Sequence, residues 1–476
     1  MKPGKVLAVL GSVLVAACGG GGAGTVAGID GGGALPPVAT SVAAQGPITG
    51  FGSIIVNGVR YDTSGATFTI DGAIGSESDL AIGQIVTVLG TLDSGGATGV
   101  ASTVIFDDAV EGLIDSIDIG AGSMVVLGQT VLINGDTSFD DDISTRSLDG
   151  LSPADIVEVS GYRNSNDEIV ATRVELEVPG SDFEVSGVAR NVDTGAMTFT
   201  IGSLVIDYSA ASVDDFPNGM PEEGQPVEAV GNALGGAGEL LATEIEFRGD
   251  DFDIDDIDEV EIEGLVTRFA SATDFDVNGI PVTTNGSTEY ENGVRADLAL
   301  DRRIEVEGSL NASGVLVAEK IEFEFESSNE IAGIVENTSA VSVSLLGVDI
   351  DIGDGVEFED DSSIATPTFG LSDIQVGDYL EVSVFDAGGT VVATRIVRED
   401  DPGEVFLSGV AGNVSDPTFT ILGITVRTDG GTDFEDEDET PILRATFFTN
   451  AQGSEVKATG QFVGGEILAE EVELED

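Results

Sequence analysis

A cadence of strand, glycine and turn recurs along almost the whole chain, and it restricts the fold more than any other feature. It reads ITGFGSIIVNG, VEGLIDSIDIG, VSGVARNVDTGAMTFTIG, IEGLVTRFASATDFDVNG, IAGIVENTSAVSVSLLG and LSGVAGNVSDPTFTILG, led by Gly50, Gly112, Gly187, Gly264, Gly333 and Gly409. Successive starts lie 62 to 77 residues apart. A second glycine follows the next strand at Gly58, Gly128, Gly202, Gly279, Gly347 and Gly423. Each copy then carries a second signature: IVTVLG at 85–90, IVEVSG at 156–161, PVEAVG at 226–231, IEVEG at 304–308, YLEVSV at 379–384 and VKATG at 456–460. The fifth copy has Ser383-Val384 where the others place glycine, so we expect a looser or displaced turn there. A closing strand follows in every copy, as in ATRVELE and AEKIEFEFE.

Within these strands the side-chain period is two. Ile321, Phe323 and Phe325 alternate with Glu322, Glu324 and Glu326, the pattern of a strand with one apolar face. Asn57-Gly58 and Asn278-Gly279 suit tight hairpins, because both residue types tolerate positive φ. No long amphipathic helical run is present; 151–157 and 371–380 each have room for one short helical turn. A sheet of five or six short strands hides its apolar face best by curling up. The expectation is therefore an all-β chain of six tandem small β-barrels, OB-like, with an open sandwich shared between neighbouring repeats as the alternative. The expected boundaries are 46–108, 109–181, 182–257, 258–327, 328–402 and 403–476.

Ahead of the repeats, Lys2 and Lys5 precede an apolar run, Val6 to Ala17, that is shorter than the roughly 20 residues of a membrane span. Leu14-Val15-Ala16-Ala17 then leads into Cys18, the only cysteine. This segment resembles the lipobox of bacterial lipoproteins. That resemblance implies a signal peptide at 1–17, lipid attachment at Cys18, and a body anchored in the cell envelope. Gly20, rather than aspartate, beyond Gly19 implies outer-membrane sorting. An ordinary signal peptide cut elsewhere, or the buried start of a strand, is the alternative. Residues 18–45 are rich in Gly and Ala, hold Pro36 and Pro37, and read as a flexible tether.

Charge and composition exclude whole classes of chemistry. Acidic residues number 87 against 18 basic ones, a formal charge of −69, while 41% of residues are hydrophobic. A disordered acidic chain would be poorer in Val, Ile and Phe, so the acid is expected on the surface of folded units. Such a surface repels phosphate backbones, and no nucleic-acid partner is expected. Cationic partners and divalent ions are its natural counterparts. Histidine is absent, which removes Ser-His-Asp triads and histidine-ligated metals. Tryptophan is absent too, so sugars lack an indole platform. Lys320 and Lys457 stand among glutamates, and Arg173 and Arg395 occupy the place of Lys320 in their copies, which suggests an outward structural position.

Acidic segments at 139–144, 250–263, 357–363 and 433–439 read as solubilising loops, with weak calcium or magnesium association as the second reading. Asp251, Asp253 and Asp255 would form a line of charge along an extended chain, not a cage. No cofactor, catalytic residue or assigned metal ligand is expected. The ordered repetition of Val-x-Gly, Asn-Gly turn, acidic loop, Val-x-Val-x-Gly and Ala-x-x-Ile-Glu resembles the bacterial domain-of-unknown-function family numbered 5666. The resemblance covers about 46–476. It implies tandem copies in lipoproteins and supplies no activity. The expected function is a non-enzymatic, lipid-anchored envelope protein whose acidic β-domain arm has a structural or binding role towards an envelope protein, polysaccharide or cation. The alternatives are a secreted enzyme or enzyme inhibitor with a site on one divergent repeat, and a calcium-associated adhesion or spacer module.

Overall fold

Alternation of period two becomes strand almost throughout the structure, a computed structural model that describes residues 40–249, 257–366, 368–387, 389–436 and 440–475. In the first copy Thr40–Gly50 pairs antiparallel with Ile54–Val56, which pairs with Val59–Asp62. Val59–Asp62 runs parallel to Thr98–Phe106, which pairs antiparallel with Ile85–Leu92, and that strand returns to Thr40–Gly50. The ladder thus closes after five strands.

The same circuit joins Val110–Asp118, Ser123–Val126, Gln129–Leu132, Ile169–Glu177 and Ile156–Arg163. It recurs through Glu259–Ser271 and through Asn329–Thr338. In the third and last copies the opening strand is interrupted at Ala189 and Ala411, both fully buried, and its second half, Arg190–Asp193 or Gly412–Ser415, carries the pairing on.

Rings share sheets in pairs, so the closed and the shared arrangements coexist. Val110 and Glu111 pair antiparallel with Val185 and Glu184, and Glu330–Ala332 with Phe406–Ser408. The first copy skips its chain neighbours: Val42–Gln45 pairs parallel with Glu259–Ile262 of the fourth. One apolar cluster spans the second and third copies and another the fifth and sixth, whereas the first and fourth have separate cores. Residues 39–476 form a single compact unit.

Register corrects the sequence reading in several places. The opening strand starts at Thr40, inside the expected 18–45 tether, because Val42, Ala43 and Ala44 are buried between two neighbouring strands. Gly46, not Gly50, is the counterpart of Gly112 and Gly264. Gly46 faces Val86 as Gly112 faces Val157 and Gly264 faces Ile304. The slot above this glycine explains the motif: a Cβ on Gly264 would lie 2.1 Å from the Asn278 amide, which donates to Glu263 O at 2.9 Å.

The second-signature glycines mark β-bulges rather than turns. A Cβ on Gly161 or Gly308 would lie 2.5 or 2.2 Å from a carbonyl oxygen of the closing strand. The fifth copy keeps its bulge at Ser383/Val384 without glycine, so the expected displacement does not occur. The short helical turns fall at Leu148–Gly150, ahead of the expected 151–157, and at Leu371–Asp373. One α-helix, Arg444–Asn450, was not expected; seven residues are too few to show a period, and it is held by Phe447 packed on Phe419 and Phe434.

Candidate functional site

Half-polar strands were expected to turn their acid outward, yet Asp108, Glu184, Glu228, Glu261, Glu263, Glu305 and Glu357 are all buried. The reason lies in the packing of one ring on another. A strand face that is outward for its own barrel becomes inward for the assembly. Arg173 and Arg395 are corrected on the same ground. Arg173 is buried and Arg395 half-buried between the second and fifth copies, where the Arg395 guanidinium donates to Glu359 at 2.6 Å and to Ser138 Oγ at 3.2 Å. Arg173 donates to Ile82 O of the first copy at 3.0 Å. Lys320 is more open and pairs with Glu322 at 3.0 Å.

The second copy holds the seams together. Gln84 of the first copy donates to Glu158 and Glu175 at 3.2 and 2.6 Å, and Ile85 N donates to Ser160 Oγ at 2.8 Å. Asp136 accepts from Thr394 Oγ1 at 2.7 Å, and Arg146 reaches Glu399 at 2.7 Å and Asp361. Ser165 Oγ donates to Asp301 of the fourth copy at 2.7 Å.

Carboxylates confined in these seams bind protons more tightly than usual. Burial pushes Glu357 up to about 8, against the opposing pull of Arg395 and Arg303. Burial and then Glu177 push Glu111 up to about 7. Glu261 and Glu305 are raised by burial and by their acidic neighbours, as is Glu330 of the fifth copy, which shares a hydrogen bond with Glu381.

A cavity lies where the first four copies meet. It encloses about 630 Å³ and is lined by Asp107 and Asp108, Tyr162 and Arg163, Val188 and Arg248, among others. The connector Asp107-Asp108-Ala109 between the first two rings contributes to its lining. Ala109 N donates to Val159 O at 2.9 Å, and Ser186 N donates to Ala109 O at 3.2 Å, which fixes the connector to both flanking strands. The Arg248 guanidinium is engaged by Asp107 at 3.0 Å and by Glu228. Arg163 donates to Ser186 O and, at 3.0 Å, to Asp167 O. Asp108 is 2% exposed, and neither of its carboxyl oxygens has a hydrogen-bond partner among the described residues.

None of these cavity residues was singled out by sequence reasoning. The one available signal was the Asp107-Asp108 pair just ahead of Ala109-Val110, where alternation places Asp108 on the same side as Val110, the first core residue of the second copy.

Cys18 lies outside the described residues, as do Asp251, Asp253 and Asp255 and residues 437–439. The described parts of the acidic segments are built into the fold. Phe139, Ile143 and Phe434 are buried, Asp141 pairs with Arg146 at 2.9 Å, and Asp360 accepts from Arg398 at 2.9 Å. Among the described residues no three acidic side chains are grouped to hold a metal ion, and no helix is long and apolar enough to cross a membrane.

The model of a family described as "Domain of unknown function (DUF5666)" matches residues 45–104, 111–175, 263–322, 332–397 and 408–473. Residues 182–257 lie outside these matches, although their strands pair in the same order. No curated protein matches the chain.

Proposed function

Because the chain belongs to the DUF5666 family, whose description carries no activity, we propose from its own residues that it is a non-enzymatic, lipid-anchored binding protein of the cell envelope, with the outer membrane as its site. Six OB-like barrels make up its body. The strand order of each ring, first-second-third-fifth-fourth and back to the first, with the third and fifth parallel, supports the OB-like reading. The observation that carries the anchoring is the run Leu14-Val15-Ala16-Ala17 leading into Cys18. Thr40–Gly50 is held on both sides, by Ile85–Leu92 and by Glu259–Ile262, so a lipid on Cys18 would pull on the body through the short stretch 19–39. Fully extended, a stretch of that length reaches about 70 Å, enough to hold the body clear of lipid headgroups. The dense acid fits cationic partners and disfavours anionic lipid and nucleic acid.

Mass analysis of the membrane-extracted protein tests this reading. The expected mature chain begins at an acylated Cys18, and Cys18→Ala is expected to move the body into the soluble fraction. An unacylated terminus further downstream would refute the anchor.

A further inference from the structure

We propose that one buried water molecule is a built-in part of the joint between the second and fourth copies, held by the hydroxyls of Tyr162 and Thr172. The site is independent of the lipid on Cys18 and of the binding role of the body, so its failure would leave both readings untouched.

The β-bulges provide an internal comparison. In four copies the residue left without a cross-strand partner by the bulge carries a hydroxyl: Ser102 beside Leu89/Gly90, Thr172 beside Ser160/Gly161, Thr243 beside Val230/Gly231 and Thr394 beside Ser383/Val384. Three of these hydroxyls donate back across the bulge. Ser102 Oγ reaches Leu89 O at 2.9 Å, Thr243 Oγ1 reaches Val230 O at 3.2 Å, and Thr394 Oγ1 reaches Ser383 O at 3.2 Å. Thr172 breaks the pattern. It is 5% exposed, and its hydroxyl has no hydrogen-bond partner among the described residues, Ser160 O included.

Tyr162 stands beside the same bulge, paired with Val170 next to the Gly161–Ala171 pair. It is buried, and its hydroxyl is likewise unpartnered among the described residues. The charged groups that act on this hydroxyl are Glu263, Arg303, Glu324 and Glu357, none of which lines the 630 Å³ cavity. The hydroxyl end of the ring is therefore turned towards the fourth copy. There Tyr162 and Thr172 share a second, small cavity with Asp136, Leu265 and Arg303.

Size and chemistry select the occupant. The small cavity offers about 20 Å³ to the centre of a guest, and one water needs roughly 10–15 Å³. No organic molecule fits. A metal cation would meet the Arg303 guanidinium on the wall, and the Asp136 carboxylate is already engaged by Ser327 N at 3.0 Å and Thr394 Oγ1 at 2.7 Å. Water brings two donors and two acceptors, so it can bridge two hydroxyls that do not bond each other. The bulge at Gly161 thus has a second consequence: it releases Thr172 from its own sheet and aims it into the joint.

The test is a crystal structure of the full chain at about 1.5 Å resolution, where an ordered water is visible directly. The expected result is one water within about 2.7–3.2 Å of both Tyr162 Oη and Thr172 Oγ1. No density in the cavity, a water that touches neither hydroxyl, or Thr172 Oγ1 bonded to Ser160 O would each overturn the proposal. Thr172→Ser is expected to keep the water, and Thr172→Val and Tyr162→Phe to lose it. Melting temperatures give a reading in solution. Each of Thr172→Val and Tyr162→Phe is expected to lower the midpoint, and the double variant to fall by clearly less than the sum, because the first substitution already removes what the second hydroxyl binds. Additive losses would show that the two hydroxyls share no guest. The unaltered crystal structure decides even where a variant misfolds.

Discussion

Gly308 shows how a single atom sets a register. Its missing Cβ leaves room for Val317 O, which a methyl group would meet at 2.2 Å. Gly308→Ala is expected to cost about 1–3 kcal/mol by overpacking a site whose neighbour is backbone and cannot turn away, read as a lower urea midpoint at unchanged slope. Glu357 is a different kind of single-residue control. Its folded pKa, about 8, lies above the unfolded value, so the folded state holds the extra proton. Stability is therefore full below the unfolded pKa and is lost as pH rises through about 8. Glu357→Gln is expected to gain on the order of 2–4 kcal/mol at pH 9 and almost nothing at pH 4. A gain of equal size at both pH values would show that the carboxyl is not the cause.

At the scale of elements, the closing strands of the second and fifth copies each give one face to their own barrel and turn the other towards the seam between them. Phe323 is fully buried in the fourth ring, and Phe323→Asp is expected to cost about 4 kcal/mol or more. That loss should appear as loss of the cooperative transition of the fourth ring in native-state hydrogen exchange. Between the second and fifth copies, Arg146 holds Asp141, Asp361 and Glu399 together. Arg146→Met strands Asp361, which is 5% exposed, and is expected to destabilise by roughly 1–3 kcal/mol at pH 8. Burial, followed by Glu359, pushes Asp361 up to about 7, so the penalty should shrink at pH 5, where the group is already neutral. Chemical denaturation of Arg146→Met at the two pH values makes the comparison.

Considered whole, the molecule is an assembly of sheet-sharing pairs. Fragments 109–257 and 328–476 each contain both partners of a shared sheet and are expected to melt cooperatively. Fragment 258–327 lacks Val42–Gln45, its parallel partner, and is expected to melt well below the intact chain. Equal melting temperatures by circular dichroism would show that the shared edge contributes nothing. The seam carboxylates also add to one another. With Glu111 near 7 and Glu357 near 8, the intact chain is expected to be most stable near pH 5 and to weaken steadily towards pH 9. Surface repulsion would give a slope of the same sign, but 0.5 M NaCl screens surface charge and reaches buried groups far less. A pH slope that vanishes in salt would place the effect on the surface instead.

The amino-acid sequence by itself determined what depends on neighbours a few residues apart. Alternation made the strands, Asn-Gly made the hairpin at 278–279, and the spacing of glycines made the repeat, because each follows from local backbone sterics and a period of two. Even there, 46–52 offered more than one glycine, and only the facing residue Val86 decides that Gly46 is the equivalent one. Which ring packs on which was decided by tertiary structure alone. Nothing near Val42 announces Glu259 as its partner, and nothing near Glu261 or Arg395 distinguishes a solvated strand face from one pressed into a seam. Burial between copies depends on residues hundreds of positions away. For that reason the family's repeat was legible along the chain, while the burial of Asp108 and the cavity between the copies came into view only once four copies had been brought together.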